Sequence, residues 1–194
     1  MRHERPAYGR RWQLGSAAGV VALILIAGAS GQAQQRGAAA APGASVDRGR
    51  YLVNITGCHD CHSPKSQGMT PDPARLLSGR PSTTKIPTKA DGEIHVSLDL
   101  TAWYGPWGQT VASNLTPDPA TGLPGRGYNE KTFVTAMRTG KKPNGTAVMP
   151  PMPVEVYNNL SDDDLRSIWM YLQTVKPIRN TGVYAGLETP GAKK

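Results

Sequence analysis

The stretch Cys58-His59-Asp60-Cys61-His62 contains both cysteines of the 194-residue chain. Two residues separate the cysteines, and a histidine follows the second cysteine directly. This spacing is the attachment signature of a c-type haem, in which two thiols form covalent bonds to the porphyrin and the imidazole binds the iron. The motif therefore predicts a cofactor and a redox role.

Other uses of paired cysteines fit this sequence less well. A thioredoxin-like redox site would need a surrounding βαβ pattern, which the sequence does not show. A closed zinc site usually takes four ligands in paired clusters, whereas this chain offers two cysteines and four scattered histidines. A disulfide across so short a loop would stabilise little.

The first 33 residues have the pattern of an export signal. Four arginines and one glutamate precede an apolar or small stretch at 14–29, and Gly31 and Ala33 suit cleavage before Gln34. The apolar stretch is shorter than the roughly 20 residues that span a bilayer, which favours cleavage. We expect a periplasmic protein, with an uncleaved anchor to the inner membrane through residues 14–29 as the alternative.

The rest of the sequence predicts one domain. Residues 34–44 form an Ala/Gly-rich linker, residues 45–180 the haem domain and residues 181–194 a flexible C-terminal tail. The chain has 22 glycines and 17 prolines, so we expect much loop. A buried porphyrin would supply apolar contact area that such a sequence lacks.

The two ends of this domain have the caps and apolar spacing of helices. One helix begins after Ser45 and runs toward the haem motif, and the last one begins after Ser161. Gly49 lies within the first helix, where glycine costs about 1 kcal/mol relative to alanine. We therefore expect the last helix to cross the first at Gly49, with Trp169 or Tyr171 against the gap.

A third helix and a less regular region lie between these ends. Asn129 caps the helix and Gly140 ends it. Residues 94–100 alternate apolar and polar side chains, the period of a half-buried strand, and the GPWG sequence after Tyr104 predicts a hairpin turn. We expect a mainly α, cytochrome c-like helical domain around one haem, with a long loop or β-hairpin excursion before the third helix.

The second axial ligand of the iron decides whether a haem protein transfers electrons or reacts with a small substrate. A thioether sulfur raises the potential relative to a second imidazole, and an open position permits gas or peroxide binding. Residues 147–153, AVMPPMP, place two methionines among three prolines, which hold a loop without regular structure. Met152 is the preferred ligand and Met149 the second choice. An open position and three further side chains remain alternatives: His95, Met137 and Met69.

The order of these features resembles the class I c-type cytochrome domain. The phrases RGRYLVNITGCHDCHSPK, LLSGRP, SNLTPDPATGL, FVTAMRTGKK and PPMPVEVYNNLSDDDLRSIWMYLQTVKPI resemble single-haem exported bacterial cytochromes related to the cytochrome subunits of membrane-bound dehydrogenases. This resemblance covers residues 45–180. It implies thioether bonds from Cys58 and Cys61, His62 as the proximal iron ligand and Met152 as the distal one.

The resemblance implies an electron carrier rather than an enzyme. One electron at a time would pass from a dehydrogenase or quinol-oxidising complex to a terminal acceptor, so the partners would be redox proteins and not nucleic acid. Two alternatives remain. One is a haem enzyme, peroxidase-like or acting on a small substrate, with a labile sixth ligand; the other is a haem subunit of a dehydrogenase complex.

Overall fold

The computed structural model describes residues 43–66, 69–88 and 91–187. The predicted signal segment and nearly all of the predicted linker lie outside these residues. The described helices are α1 (Val46–Ile55), α2 (Cys58–His62), α3 (Glu130–Thr139), α4 (Val154–Tyr157) and α5 (Asp162–Leu172). None of the helices in the described ranges has the length and hydropathy needed to cross a membrane.

A small antiparallel sheet precedes α3. Its strands are β1 (His95–Val96), β2 (Ala102–Gly105) and β3 (Gly108–Val111), in the order β1-β2-β3. Gly105 pairs with Gly108, so the GPWG sequence forms the tight turn between β2 and β3. The hairpin expected after the haem motif is present, with one further short strand on its edge.

The expectation of a mainly α domain is wrong. Helix makes up only 31% of the structure, and it stands beside a three-stranded sheet. Two of the helices are short, with 5 residues in α2 and 4 in α4. The physical reason is the high glycine and proline content, since proline removes amide donors and glycine disfavours regular helix.

The strand predicted over 94–100 ends after Val96. The side chain of Ser97 accepts hydrogen bonds from the backbone amides of Thr101 (3.1 Å) and Ala102 (3.0 Å), and this bends the chain into a turn. Serine side chains commonly bond to nearby backbone in this way and so compete with strand pairing. Leu98 consequently lies 95% exposed on the turn.

The first and last helices cross at Gly49, as the sequence predicts. A Cβ added to Gly49 would collide with the backbone oxygen of Ser167 and lie 2.8 Å from the Cβ of Tyr171. Tyr171 therefore flanks the gap, while the ring of Trp169 packs against Phe133 at a centroid distance of 5.7 Å. α1 ends at Ile55, and α2 with the haem motif begins three residues later at Cys58.

A Gly49→Ala substitution is expected to destabilise the protein by about 3 kcal/mol, because α5 cannot approach α1 closely once a methyl group lies between them. Urea unfolding followed by circular dichroism would measure the loss. Gly43→Ala is the matched control, since no atom of the described residues, apart from its chain neighbours, lies within 4 Å of a Cβ placed there. Equal stability of the two variants would contradict this account of the crossing.

The chain after α5 does not leave the domain at residue 180. Arg80, only 3% exposed, donates hydrogen bonds to the carbonyl oxygens of Gly182 (3.0 Å), Val183 (2.7 Å) and Ala185 (3.0 Å). Val183 is itself buried. Arg80 thus holds residues 182–185 against the domain, although most side chains of 181–187 are exposed. The bounds of the flexible tail stay a prediction, and residues 188–194 lie outside the described part of the chain.

Candidate haem site

The fold forms a largely apolar cavity of about 640 Å³ that opens to the surface. This volume falls within the range of roughly 300–1,000 Å³ that small-molecule and cofactor sites occupy. Its apolar wall comes from α3, α5, the sheet and the segment before α3: Trp103, Leu123, Phe133, Leu165, Ile168 and Leu172. Most of this wall is core side chains, so the cavity lies at the centre of the domain's packing.

Both cysteines of the chain line this cavity from α2. Gly57, in the left-handed region at φ 77°, turns the chain from α1 into α2 so that the haem motif begins a new helix. Cys58 and Cys61 are three residues apart, which places them on one face of that helix. Neither forms a disulfide, and burial raises the pKa of each thiol.

His62, the last residue of α2, also lines the cavity. Its Nδ1 lies 2.7 Å from the carbonyl oxygen of Ser113, and because a carbonyl only accepts, Nδ1 carries the proton. Nε2 is then the nitrogen with a free lone pair. Burial lowers the pKa of His62 to about 4, so the imidazole is neutral at neutral pH. A neutral imidazole held by a hydrogen bond from its other nitrogen is the usual state of a metal ligand.

The loop with the two methionines borders the same cavity. Met152 is half-buried and Met149 is 37% exposed, and both line the cavity together with Met137 of α3. The backbone of the loop is held at its end, where the amide of Val154 donates to the carbonyl oxygen of Met152 at 3.0 Å. Met152 and the haem motif thus line the same cavity, and so do two of the alternative ligands, Met149 and Met137.

The remaining candidate ligands lie elsewhere. His95 does not line the cavity, and its Nε2 lies 2.6 Å from a carboxylate oxygen of Asp91. Met69 is 53% exposed and is also absent from the cavity wall. Asp91, Glu93 and His95 have ligand atoms within 4.8 Å of one another, but this group is on the surface and apart from the cavity.

Sequence reasoning missed several residues that support the site. Lys65 donates hydrogen bonds to the carbonyl oxygens of His59 (2.6 Å) and Ser63 (2.8 Å), and so satisfies carbonyls at the C-terminal end of α2. The hydroxyl of Tyr157, in α4, donates to the carbonyl oxygen of Thr56 at 2.6 Å. This bond connects the helix after the methionine loop to the residues just before the haem motif.

The residues at the cavity fit a c-type haem. Two free thiols share one helix face, a neutral imidazole has one nitrogen available, and thioether side chains border the same apolar space. Thiols for covalent attachment and imidazole or thioether for iron form the donor set of this cofactor. The fit rests on this set and on the apolar character of the wall.

Comparisons with known proteins find similarity to cytochrome subunits of dehydrogenases. The chain is 27% identical over 168 residues to the cytochrome c subunit of a quinone alcohol dehydrogenase from Gluconobacter oxydans, and 28% identical over 166 residues to the fructose dehydrogenase cytochrome subunit from Gluconobacter japonicus. These likenesses are consistent with a cytochrome c domain related to the cytochrome subunits of dehydrogenases. A diheme cytochrome c-type protein of Cereibacter sphaeroides is 27% identical over 167 residues.

The matches cover most of this chain and a smaller part of each relative. They span 86% and 84% of the chain but only 27% and 28% of the two Gluconobacter subunits, and 81% of the chain against 47% of the diheme protein. No family model matches the sequence. The chain therefore spans less than half of the length of these larger proteins, and the likeness does not extend to the whole of them.

A Tyr157→Phe substitution tests the connection between the methionine loop and the haem motif. Removing the hydroxyl leaves the half-buried carbonyl of Thr56 without this donor, and we expect a loss of about 1 kcal/mol of stability. Thermal unfolding of the holoprotein would measure it. Tyr51→Phe is the control, because Tyr51 is 53% exposed. An equal effect of both substitutions would show that the Tyr157 hydroxyl does not hold the loop.

Proposed function

We propose that this domain carries one haem c and transfers one electron at a time between redox partners. Cys58 and Cys61 would attach the porphyrin, and His62 and Met152 would bind the iron. The observation that carries this proposal is the state of His62, neutral and held through Nδ1 at the cavity that both thiols line. When bound, the haem supplies a reversible one-electron couple at its iron.

The chain's own residues set the conditions for such a couple. The carbonyl of Ser113 orients the imidazole of His62 and favours its coordinating form. The wall of the cavity is largely apolar, which disfavours extra charge beside it. A thioether from Met152 raises the potential relative to a second imidazole. In this function these groups would hold a cofactor in place, and none of them would react with a substrate.

The relatives support a partner of the dehydrogenase kind. The two Gluconobacter relatives are cytochrome subunits of dehydrogenases, so we propose that this domain receives electrons from such an enzyme or from a quinol-oxidising complex, either as a subunit or as a separate carrier. We also propose, from the first 33 residues, that the chain is exported to the periplasm. Haem is joined to thiols in that compartment. Nucleic acid is not among the proposed partners.

The position of His95 does not favour the enzyme alternative. A peroxidase-like reaction would need a proton donor or acceptor beside the iron, and a histidine such as His95 is suited to that role. His95 lies outside the cavity wall and is bonded to Asp91. We therefore propose an electron carrier and no second function.

A redox titration of the purified holoprotein, with His62→Ala and His59→Ala as matched variants, tests this function. We expect one haem per chain, a single one-electron transition in the wild-type protein and an unchanged titration for His59→Ala. His62→Ala should lose the wild-type spectrum, since its proximal ligand is gone. A His62→Ala protein with the wild-type spectrum, or a second haem per chain, would contradict the proposal.

A further inference from the structure

The carbonyl of Ser113, which accepts the hydrogen bond from His62, belongs to a peptide bond that packs directly against Gly79. A Cβ added to Gly79 would lie 2.6 Å from the carbonyl carbon of Ser113 and 2.7 Å from the amide nitrogen of Asn114. Gly79 has a φ of 73°, in the left-handed region that favours glycine. Its amide also donates to the carbonyl oxygen of His62 at 2.8 Å. Gly79 therefore contacts the backbone of both partners of the imidazole hydrogen bond.

The side chain of Asn114 anchors this peptide bond. Asn114 is fully buried, and its Oδ1 accepts hydrogen bonds from the amide (2.9 Å) and the hydroxyl (2.8 Å) of Thr116. Its Nδ2 donates to the carbonyl oxygen of Ile178 at 2.7 Å and to the hydroxyl of Thr121 at 3.0 Å. A primary amide has two donor hydrogens and two acceptor lone pairs, and all four are used here. A buried amide with every hydrogen bond made is held in one orientation, and so is the backbone that carries it.

A second buried asparagine holds the loop on which Gly79 lies. The Nδ2 of Asn180 donates to the carbonyl oxygens of Ser78 (2.8 Å) and Arg80 (2.9 Å), which are the two chain neighbours of Gly79. Asn180 belongs to the same segment after α5 as Ile178, the backbone acceptor described above. One short segment is therefore bonded to both loops that meet at the imidazole hydrogen bond.

We use the term asparagine pair for Asn114 and Asn180. We propose that the asparagine pair positions the carbonyl of Ser113 on Nδ1 of His62 and thereby lowers the reduction potential of the iron. The inference rests on the proposed function, because it concerns an iron bound to this imidazole. A hydrogen bond from the far nitrogen makes an imidazole ligand more basic, and a more basic ligand favours the more positively charged, oxidised iron.

The NMR signal of the Nδ1 proton of His62, recorded on ferrous holoprotein, tests the inference directly. In Asn114→Ala and in Asn180→Ala we expect this proton to move upfield, because the Ser113 carbonyl is no longer held at 2.7 Å. Its exchange with solvent should be about fivefold faster, which corresponds to a hydrogen bond weaker by about 1 kcal/mol. The reduction potential should rise in both variants.

Ser167→Ala is the matched control for a loss of stability alone. Ser167 is also fully buried, and its hydroxyl accepts from the amide of Ser45 (3.0 Å) and donates to the carbonyl oxygen of Asp163 (2.6 Å). It is not among the described residues that line the cavity. We expect a lower unfolding temperature for Ser167→Ala, with the ring proton and the potential as in the wild type.

A milder variant keeps the test open if the alanine variants do not fold. Thr116→Val preserves the shape of the side chain and removes one donor to Oδ1 of Asn114, so it should shift the ring proton in the same direction by less. A ring proton and a potential that stay at their wild-type values in the folded variants would overturn this inference alone. A wild-type protein without covalent haem would overturn the proposed function together with it.

Discussion

A Cys58→Ala, Cys61→Ala variant, to which haem cannot be attached, is expected to lose most of its helical circular dichroism. The wall of the cavity is also the core of the domain, because Leu123, Phe133 and Ile168 belong to both. Without haem, these side chains would line an open cleft of about 640 Å³ and lose apolar contacts worth roughly 1.5 to 3 kcal/mol for each large side chain. Several such losses together are comparable with the whole stability of a typical domain, about 5 to 15 kcal/mol.

Far-UV circular dichroism of the purified variant, beside the wild-type holoprotein, measures this effect. Cys61→Ala alone is the graded control: one thioether bond keeps the haem on the chain, so we expect most of the helical signal to remain. Native helicity in the double variant would mean that the core collapses or packs without haem. In that case the cofactor would not be what stabilises the fold.

A Met152→Ala variant is expected to bind carbon monoxide in the ferrous state and to have a lower reduction potential than the wild type. Alanine offers no ligand, so one axial position of the iron would be open. The thioether that raises the potential would also be lost. Absorption spectra with and without carbon monoxide, together with a redox titration, measure both effects. The change should be large, since it alters the coordination of the iron itself.

Met149→Ala is the matched control for this assignment. Met149 lies on the same loop and at the same cavity but is more exposed, at 37%. We expect its spectrum and its carbon monoxide binding to follow the wild type. If Met149→Ala binds carbon monoxide and Met152→Ala keeps the methionine-iron absorption band, then the assignment of the two methionines is wrong.

The sequence predicted those parts of the site that depend on local spacing. The Cys-x-x-Cys-His pattern needs only one turn of helix to bring both thiols to one face, and α2 has that form. The crossing at Gly49 was also predictable, because a glycine within a capped amphipathic helix requires a physical reason. The preference for Met152 followed from its proline-rich loop and from the family resemblance.

The supporting residues could not be predicted, because their partners are distant in sequence. Ser113 lies 51 positions from His62 and acts through its backbone carbonyl, which has no sequence signal. Arg80 and Gly182 are 102 positions apart. The mainly α expectation failed for a related reason. The loops between the haem motif and α3 are held by side chain to backbone bonds, such as those of Ser97, and these follow no period.

The absorption spectrum of the purified full-chain protein tests the central claim most directly. It is recorded after extraction with acidified acetone, and also in the ferrous state with and without carbon monoxide. If Cys58 and Cys61 attach the haem and His62 and Met152 close both axial positions, the haem will stay with the protein and carbon monoxide will leave the ferrous spectrum unchanged. Haem that passes into the solvent, or a ferrous spectrum that changes at once with carbon monoxide, would contradict the account.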